Sequence, residues 1–533
     1  MTDPAGTSDA VGDTPTDTPQ RLHPMSWLFV LLAQLRQYLI PLIALFVLGR
    51  KDSPGRAPPS WDRWDSELWP LLGVAVLAAS SVWRYFTYGY GIGQDALRIR
   101  SGVLSRSLRI IPFARIHNVA IEQTLLHRLF GVASVRLESA GSERPEAEMR
   151  VLSMDAAIAL EALVRRHTTV GPPSAVADAQ ARSTSATAPA VGGPVTLLRL
   201  PLREIVLQGL LSNRGLIALG AVFAALAQPG LNFDWGLPWR LTERLLRRTI
   251  GEDQGALARA EPLLLATYGA LVLVCALVAL RLLSVALTLL QDHGFTLTRE
   301  GRRITVERGL VSRVRASISR RRIQAWTVRE PLLHRLAHRR TLAIDNAAGA
   351  GEEGSGHTLR ELAPLVTPAQ ADRLIHDLAP ATGWPAVEWR RLPGSHWWRR
   401  AAPVAAVLLL LSLGLGWHLG AAGLLPLLLL PLVAWAARRK AELARWAVTD
   451  SLVAVKEGWL ERTWRFAELD KLQAVELSRS PIDRGCGTAT LWLDTAGASG
   501  LGPPLRIAYL PAAEAQRLAD ILTEALAHRP LRW

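Results

Sequence analysis

The stretch RIHNVAIEQTLLHRLFGVASV at residues 115–135 recurs twice further along the chain. Its counterparts are RIQAWTVREPLLHRLAHRRTL at residues 322–342 and, more diverged, KLQAVELSRSPIDRGCGTATL at residues 471–491. The polar segments that contain these stretches align without a gap over about fifty residues. Such internal similarity predicts three copies of one structural unit.

Apolar residues that alternate with polar ones predict half-buried strands in each copy. The alternating pairs are Leu97/Ile99, Ile304/Val306 and Val453/Val455. A glycine follows each pair and predicts a hairpin turn. Each copy also predicts a further strand near its end, and these strands are Val135–Glu138, Leu342–Asp345 and Leu491–Asp494.

Helical segments complete each copy. In the first two copies a leucine pair is predicted to lie in a short helical turn and to belong to the core; these residues are Leu125, Leu126, Leu332 and Leu333. Amphipathic Ala/Leu-rich stretches predict one closing helix in each copy, at Asp155–Arg166, Thr367–Leu378 and Ala512–Ala527. Several short strands and one C-terminal helix predict an open, pleckstrin-homology-like β-barrel.

Six apolar blocks precede the copies in three pairs. They are residues 38–48 and 69–83, 215–228 and 263–290, and 402–417 and 421–437. Several are shorter than the roughly 20 residues that span hydrocarbon, and flanking Trp and Arg that snorkel at the interface are expected to supply the missing length. The predicted fold class is an α+β membrane protein with six transmembrane helices in three hairpins, each followed by a pleckstrin-homology-like β-barrel with a C-terminal helix.

The predicted organisation has eight segments. They are a disordered tail (1–24), an interfacial segment and hairpin 1 (25–87), domain 1 (88–167), a flexible linker (168–196), an interfacial segment and hairpin 2 (197–290), domain 2 (291–380), an interfacial segment and hairpin 3 (381–440), and domain 3 (441–528).

The charge distribution predicts the orientation in the membrane. The chain has 61 Lys and Arg against 46 Asp and Glu, a net charge of +15. Together with the apolar blocks, this balance favours an anionic membrane surface over nucleic acid. Basic residues flank the predicted domains at Arg84, Arg399, Arg400, Arg438, Arg439 and Lys440. Because Lys and Arg favour the cytoplasmic side, we expect a multi-pass inner-membrane protein with its termini and domains in the cytoplasm.

The repeated stretch also resembles a known family. Arg115-Ile116-His117-Asn118-Val119, followed by Glu122–Val135, is similar to the signature of the bacterial PH-like domain of YdbS/YdbT-type membrane proteins. The resemblance is strong in the first copy, clear in the second and weak in the third, and it includes the hairpin before each domain. It implies a fold and a membrane setting, and it transfers no functional residue.

Three features of the sequence are candidates for sites of chemistry. Tyr88-Gly89-Tyr90-Gly91-Ile92-Gly93 resembles a potassium-filter string, but the repeat places it on a strand. His334 and His338 have a spacing that suits zinc, yet the first copy has Gly131 where His338 falls, which favours a solvated basic turn. Arg281 lies within a predicted span, where a charge is functional by default or snorkels toward the interface. We therefore expect neither an enzyme nor a metal or cofactor site.

The function predicted from these features is that of a non-catalytic scaffold whose cytoplasmic domains bind lipid head groups or a membrane-protein partner. The alternative is a component of transport, export or resistance to a membrane-active toxin. Residues 299–340 hold 13 Arg and 3 acidic residues, the most basic of the three aligned windows. The residues predicted to contact anionic lipid there are Arg313, Arg315, Arg320, Arg321 and Arg322.

Overall fold

The structure is a computed structural model of the 533-residue chain. It describes residues 20–21, 26, 28–29, 31–32, 79, 83, 89–93, 96–101, 107–113, 116–139, 147–169, 194–226, 262–346, 359–495 and 504–528. The chain divides into two compact units. The first comprises Met1–Glu138, Glu146–Thr187 and Gly220–Leu264, and the second comprises Ser139–Pro145, Ala188–Leu219 and Leu265–Trp533.

The first unit contains the first copy of the repeat. Its elements are β1 (Gln20–Arg21), β2 (Gly89–Ile92), β3 (Ala96–Ser101), β4 (Ser107–Pro112), β5 (Ile116–Gln123), α1 (Leu125–Leu129), β6 (Val132–Ser139), β7 (Ala147–Ser153) and α2 (Met154–Thr169). Strands β1 to β4 form an antiparallel sheet in chain order, and β5, β6 and β7 are successive neighbours. Helix α2 confirms the predicted closing helix. Gly89–Ile92 of the potassium-filter-like string form strand β2, so the strand prediction is confirmed for these residues.

The second copy and the first strand of the third copy comprise the following elements. They are β8 (Val195–Arg199), α3 (Leu202–Leu211), α4 (Arg214–Leu226), α5 (Pro262–Asp292), β9 (Thr296–Glu300), β10 (Arg303–Arg308), β11 (Arg313–Ser319), β12 (Ile323–Glu330), α6 (Leu332–Leu336), β13 (Arg340–Asn346), β14 (Glu361–Val366), α7 (Pro368–Leu378) and β15 (Arg390–Arg391). They continue with α8 (Trp397–Leu419), α9 (Leu430–Leu443), β16 (Arg445–Val448), β17 (Leu452–Glu457), β18 (Arg462–Glu468), β19 (Leu472–Ser478), α10 (Pro481–Cys486), β20 (Thr488–Thr495), β21 (Arg506–Pro511) and α11 (Ala512–Ala527).

The alternating residues of the predicted strands are the core residues. Leu97, Ile304 and Val453 are fully buried. The second residue of each pair, Ile99, Val306 or Val455, is at most 6% exposed. The glycines at the β10–β11 and β17–β18 turns, Gly309 and Gly458, have φ values of +113° and +98°. A left-handed conformation of this kind favours glycine, and a side chain at either position would collide with the backbone of the turn.

One seven-stranded antiparallel sheet joins the second and third copies. Its strand order is β14-β13-β12-β18-β17-β16-β15, so the end of the second copy pairs with the start of the third. Trp326 of β12 stacks on Phe466 of β18 with ring centroids 6.2 Å apart, and both side chains are buried in one core. The predicted separate barrel for each copy is therefore not confirmed, because hydrophobic cross-strand pairs join the two copies.

A short strand before each membrane segment was not predicted. Strand β8 pairs with β9, and β15 pairs with β16, across the helices that lie between them in the chain. In the first unit β1 likewise pairs with β2, so Gln20 and Arg21 do not belong to a disordered tail. Helices α8 and α9 are thus inserted between two adjacent strands of one sheet, and both of their outer ends are fixed to it.

The described residues contain two helical segments that are long and apolar enough to cross a membrane, Gly269–Asp292 and Gly394–Leu443. A third is present if α3 and the start of α4, which are bent by 52° at their break, form one span. The six predicted spans are therefore not confirmed, and the first predicted pair falls outside the described residues except for isolated positions. Within Gly394–Leu443 the chain folds back on α8, and Gly423 lies directly against the backbone of Leu415 and Gly416.

The short helices α1 and α6 correct a prediction about the core. The leucine pair of each helix is exposed: Leu125 by 55%, Leu126 by 45%, Leu332 by 44% and Leu333 by 37%. In α6 the buried residue is His334, which is 8% exposed. The predicted solvated basic turn is therefore wrong at His334, although His338 is exposed. Burial lowers the pKa of His334, with a smaller opposing effect from Glu461.

Candidate functional site: a basic cavity at the base of the third membrane segment

The five predicted lipid-contact arginines lie at opposite ends of strand β11. Arg313 and Arg315 begin the strand and form ion pairs with Glu307 at 3.1 and 3.4 Å. The turn before them is hydrogen-bonded to the end of α5, since the amides of Gly309 and Leu310 donate to the carbonyls of His293 and Leu290. This end of β11 therefore adjoins the membrane helix.

Arg320, Arg321 and Arg322 form a 3-10 turn at the other end of β11. A seven-residue strand separates the two groups by about 20 Å. Burial, with Arg303 close by, lowers the pKa of Arg322 to about 10. The carbonyl of Arg321 accepts a hydrogen bond from Lys471 Nζ at 2.7 Å. The structure thus does not bring the five arginines together, and only the first two lie beside the membrane helix.

A polar network fixes the α3–α4 break to α5. Arg281 donates to the carbonyls of Leu210 and Ser212 at 3.2 and 3.0 Å, and Ser284 also donates to Ser212. The guanidinium of Arg281 thus satisfies carbonyls that the end of α3 leaves open. In the described part of the chain, Arg281 therefore caps the end of α3. Neither prediction for this residue, a functional charge within a span or a snorkelling side chain, included this role.

Each copy joins its membrane-side segment to its short helix, or to the residues just after it, by a side-chain contact. In the second copy, Arg339 just after α6 makes a bidentate ion pair with Glu204 of α3, at 2.9 and 3.0 Å. In the third copy the cation is on the membrane-side helix, where Arg399 of α8 contacts Asp483 of α10 at 2.7 Å. In the first unit, Phe29 packs on His127 of α1 with ring centroids 4.3 Å apart.

Asp483 is held ionised by its neighbours. Burial alone would raise its pKa, but hydrogen bonds from Arg399, Ser480 and Thr488 hold the pKa of this carboxyl well below its usual range. Ser480 and Asp483 also form a capping box at the start of α10. The joint between α8 and the third copy is therefore a nearly buried ion pair.

A cavity of about 690 Å³ lies where α8 and α9 meet the seven-stranded sheet. Its apolar wall comes from the membrane segment and from the β17–β18 turn, and includes Val404, Val433, Ala436, Trp459 and Leu460. The Trp459 ring packs edge-on against Trp435 of α9 at 4.6 Å, which holds this turn against the helix. The cavity therefore opens beside the membrane segment.

The polar wall of the cavity is basic. Its charged residues are the cations Arg329, Arg400, Lys440, Arg465 and Arg506 and the carboxylates Glu457 and Glu461. Arg400 pairs with Glu457 at 3.4 Å, and Arg465 is held by Asp345 and by Thr327 at 3.1 Å. Among the described residues, no carboxylate lies within ion-pair distance of Arg329, Lys440 or Arg506. The cavity thus presents an excess of positive charge opposite an apolar wall.

Sequence reasoning missed this cavity because its cations come from five separate elements. In the sequence, Arg400 and Lys440 indicate membrane orientation, while Arg329 and Arg465 lie on strands of different copies. Only the β12–β18 pairing brings those strands together. Across the described parts of the chain there is also no group of three or more His, Cys, Asp or Glu that could hold a metal ion.

The membrane helices and the repeated β units define the class, a membrane protein built from PH-like repeats. The model of the bacterial PH domain matches residues 29–168, 256–382 and 387–526. These matches cover more than half of the chain, which therefore belongs to the bacterial PH domain family. The resemblance found in the sequence is confirmed.

The chain is also similar to a transmembrane protein over about two thirds of its length. The chain is 20% identical over 370 residues to the transmembrane protein YdbT of Bacillus subtilis (strain 168), with 68% of this chain and 69% of that protein covered. No solved structure matches the chain. The name of this relative and the two apolar helical segments agree with a membrane protein.

Proposed function

We propose that the protein is a non-catalytic membrane scaffold that holds its PH domains at the cytoplasmic face of the inner membrane and binds anionic lipid head groups there. The observation that carries the proposal is the cavity at the base of α8 and α9, with five cations against two carboxylates on one wall and apolar side chains on the other. An amphiphile with an anionic head and an apolar tail matches both walls.

The energetics favour a phosphate-bearing head group. Arg forms strong charge-assisted hydrogen bonds with phosphate oxygens, and each Lys or Arg near an anionic surface contributes about 1 kcal/mol. The apolar wall belongs to the segment predicted to cross the membrane, so an acyl chain could stay in contact with it while the head group is bound. This favours a lipid over a protein partner.

Lipid that copurifies with the full-length protein tests the proposal. The protein is extracted from its native membrane in polymer-bounded nanodiscs, exchanged into detergent, and analysed by native mass spectrometry. We expect phosphatidylglycerol or cardiolipin to remain bound, and the variant carrying Arg329→Glu and Lys440→Glu to lose at least nine-tenths of it, about a tenfold weakening.

Arg439→Glu is the matched control. Arg439 precedes Lys440 on α9, pairs with Glu442 at 3.4 Å and does not line the cavity. It makes the same change in charge as Lys440→Glu, at the same end of the helix, so any effect of that substitution on membrane orientation is shared. Equal lipid retention by all three proteins, or equal retention of neutral phosphatidylethanolamine, would refute the proposal.

A further inference from the structure

Strand β12 of the second copy receives a strand from the copy that follows it. It pairs with β18 in an antiparallel register that sets Trp326 opposite Phe466, Thr327 opposite Arg465 and Val328 opposite Trp464. Because of this pairing, β12 buries seven of its eight residues. Pairing between successive copies is thus part of how the repeat is stabilised.

Strand β19 is the counterpart of β12 in the third copy, and among the described residues only β20 pairs with it. It lies at the edge of a three-stranded sheet, β19-β20-β21. Gln473, Ala474 and Glu476 are exposed, whereas the aligned Gln324, Ala325 and Thr327 of β12 are buried. An open edge of this length presents unpaired amides and carbonyls to any matching strand.

Strand β4 is the counterpart of β18 in the first copy, and it also lies at the edge of its sheet. Its first four residues are exposed, among them Leu108 by 55% and Ile110 by 54%. The aligned residues of β18, Trp464 and Phe466, are 7% and 0% exposed because β12 and its core cover them. The first copy therefore exposes the apolar face that the third copy buries.

The two open edges are complementary when the β12–β18 register is transferred to them. Val475 then faces Ile110, Leu477 faces Leu108, and Ser478 faces Ser107. Between the two apolar pairs, Glu476 faces Arg109, which places a carboxylate opposite an exposed guanidinium. Apolar and opposite-charge pairs across antiparallel strands each contribute to pairing. By contrast, the outer strand β14 buries five of its six residues, and β21 buries three of six.

We propose that β19 of one chain pairs with β4 of a second copy of the same chain, which extends the array of repeats head to tail along the membrane. The interface would use different surfaces on the two copies, so it is heterologous and builds either a ring or an open row. This inference does not depend on lipid binding in the cavity.

Disulfide crosslinking of the full-length protein in its native membrane tests the pairing. Cys275 and Cys486 are first replaced by serine. A chain with one affinity tag carries Ile110→Cys, and a chain with another tag carries Val475→Cys. Facing residues of antiparallel strands have Cβ atoms about 4.5–5.5 Å apart, within reach of a disulfide after small adjustment. We expect adducts that carry both tags.

Ile521→Cys replaces Val475→Cys in the control, because Ile521 is 57% exposed on α11 and lies outside the proposed interface. The in-register pair should give at least ten times more adduct than this control. Equal yields, or adducts of Val475→Cys with some other protein and none with a second copy, would overturn the proposal.

A charge exchange tests the register itself. Glu476→Arg in the chain that carries Val475→Cys, or Arg109→Glu in the chain that carries Ile110→Cys, should each lower the adduct yield at least fivefold. Both changes together should restore at least half of it, because the pair of opposite charges returns. If the single changes leave the yield unaltered, or the double change fails to restore it, the proposed strand pairing is wrong.

Discussion

Asp483 connects helix α8 of the third copy to its PH domain through an ion pair with Arg399. Its side chain is 7% exposed and that of Arg399 is 10% exposed, so the ion pair between them is largely desolvated. Asp483→Asn would leave Arg399 buried without a countercharge, which typically costs about 3–5 kcal/mol. We expect a clear fall in the melting temperature of the full-length protein in detergent. Asp520→Asn, at an exposed position on α11, should change stability by less than about 0.5 kcal/mol.

The same residue predicts a pH dependence. The pKa of Asp483 is lower in the folded protein than in the unfolded chain, so the ion pair stabilises the fold above the unfolded pKa of about 3.9. That stabilisation is lost as the pH falls below this value toward the folded pKa. The difference in melting temperature between the wild type and Asp483→Asn should therefore be constant from about pH 7 to 5 and shrink below about pH 4. A difference that instead grows on acidification would contradict the assignment.

At the residue scale, the sequence identified residues whose role follows from local pattern. The alternation Ile304/Val306 and the glycine at the following turn are of this kind, and both are confirmed. The sequence did not identify Arg329 and Lys440 as neighbours across one cavity. They are 111 residues apart in the sequence, and only the fold of two copies brings them together.

At the scale of elements, the short helix α6 shows how far the sequence pattern can predict a helix and its buried face. Its existence follows from the repeat, but five residues are too few to show a helical period, so the sequence does not indicate which face is inside. The structure buries His334 and exposes Leu332 and Leu336. The closing helix α7 has eleven residues and a capping box at Thr367, and there the amphipathic pattern was long enough to predict the helix itself.

A pair of leucine substitutions checks this element. Leu332 is 44% exposed, so Leu332→Ala should lower the free energy of unfolding by less than about 0.5 kcal/mol. Leu342→Ala removes the same atoms from a fully buried site on β13 and should cost about 2–5 kcal/mol. Chemical denaturation of the full-length protein in detergent measures both. Comparable losses for the two variants would mean that Leu332 is part of the core.

At the scale of the whole molecule, the orientation in the membrane remains a prediction from the basic residues that flank the PH domains. Single cysteines in a chain carrying Cys275→Ser and Cys486→Ser can test it with a membrane-impermeant maleimide. Ile521→Cys, exposed on α11, should be labelled only after the cells are lysed. Gly55→Cys falls outside the described residues and in the first predicted hairpin loop, and it should be labelled in intact spheroplasts. Labelling of Ile521→Cys in intact spheroplasts would reverse the orientation.

The continuous seven-stranded sheet means that the second and third copies should fold as one body. Separated at the exposed Ala386, the coexpressed fragments 1–386 and 387–533 should copurify, because Trp326, Trp464 and Phe466 share one core. Expressed alone, fragment 387–533 would leave Trp464 and Phe466 without their cover and should aggregate or be degraded. Arg465→Met removes the side-chain contacts of β18 with Thr327 and Asp345 and should lower the yield of copurified fragment. Two fragments that purify separately as soluble or detergent-stable monomers would show that each copy folds independently. The pairing of β12 with β18 would then not be needed for either copy to fold.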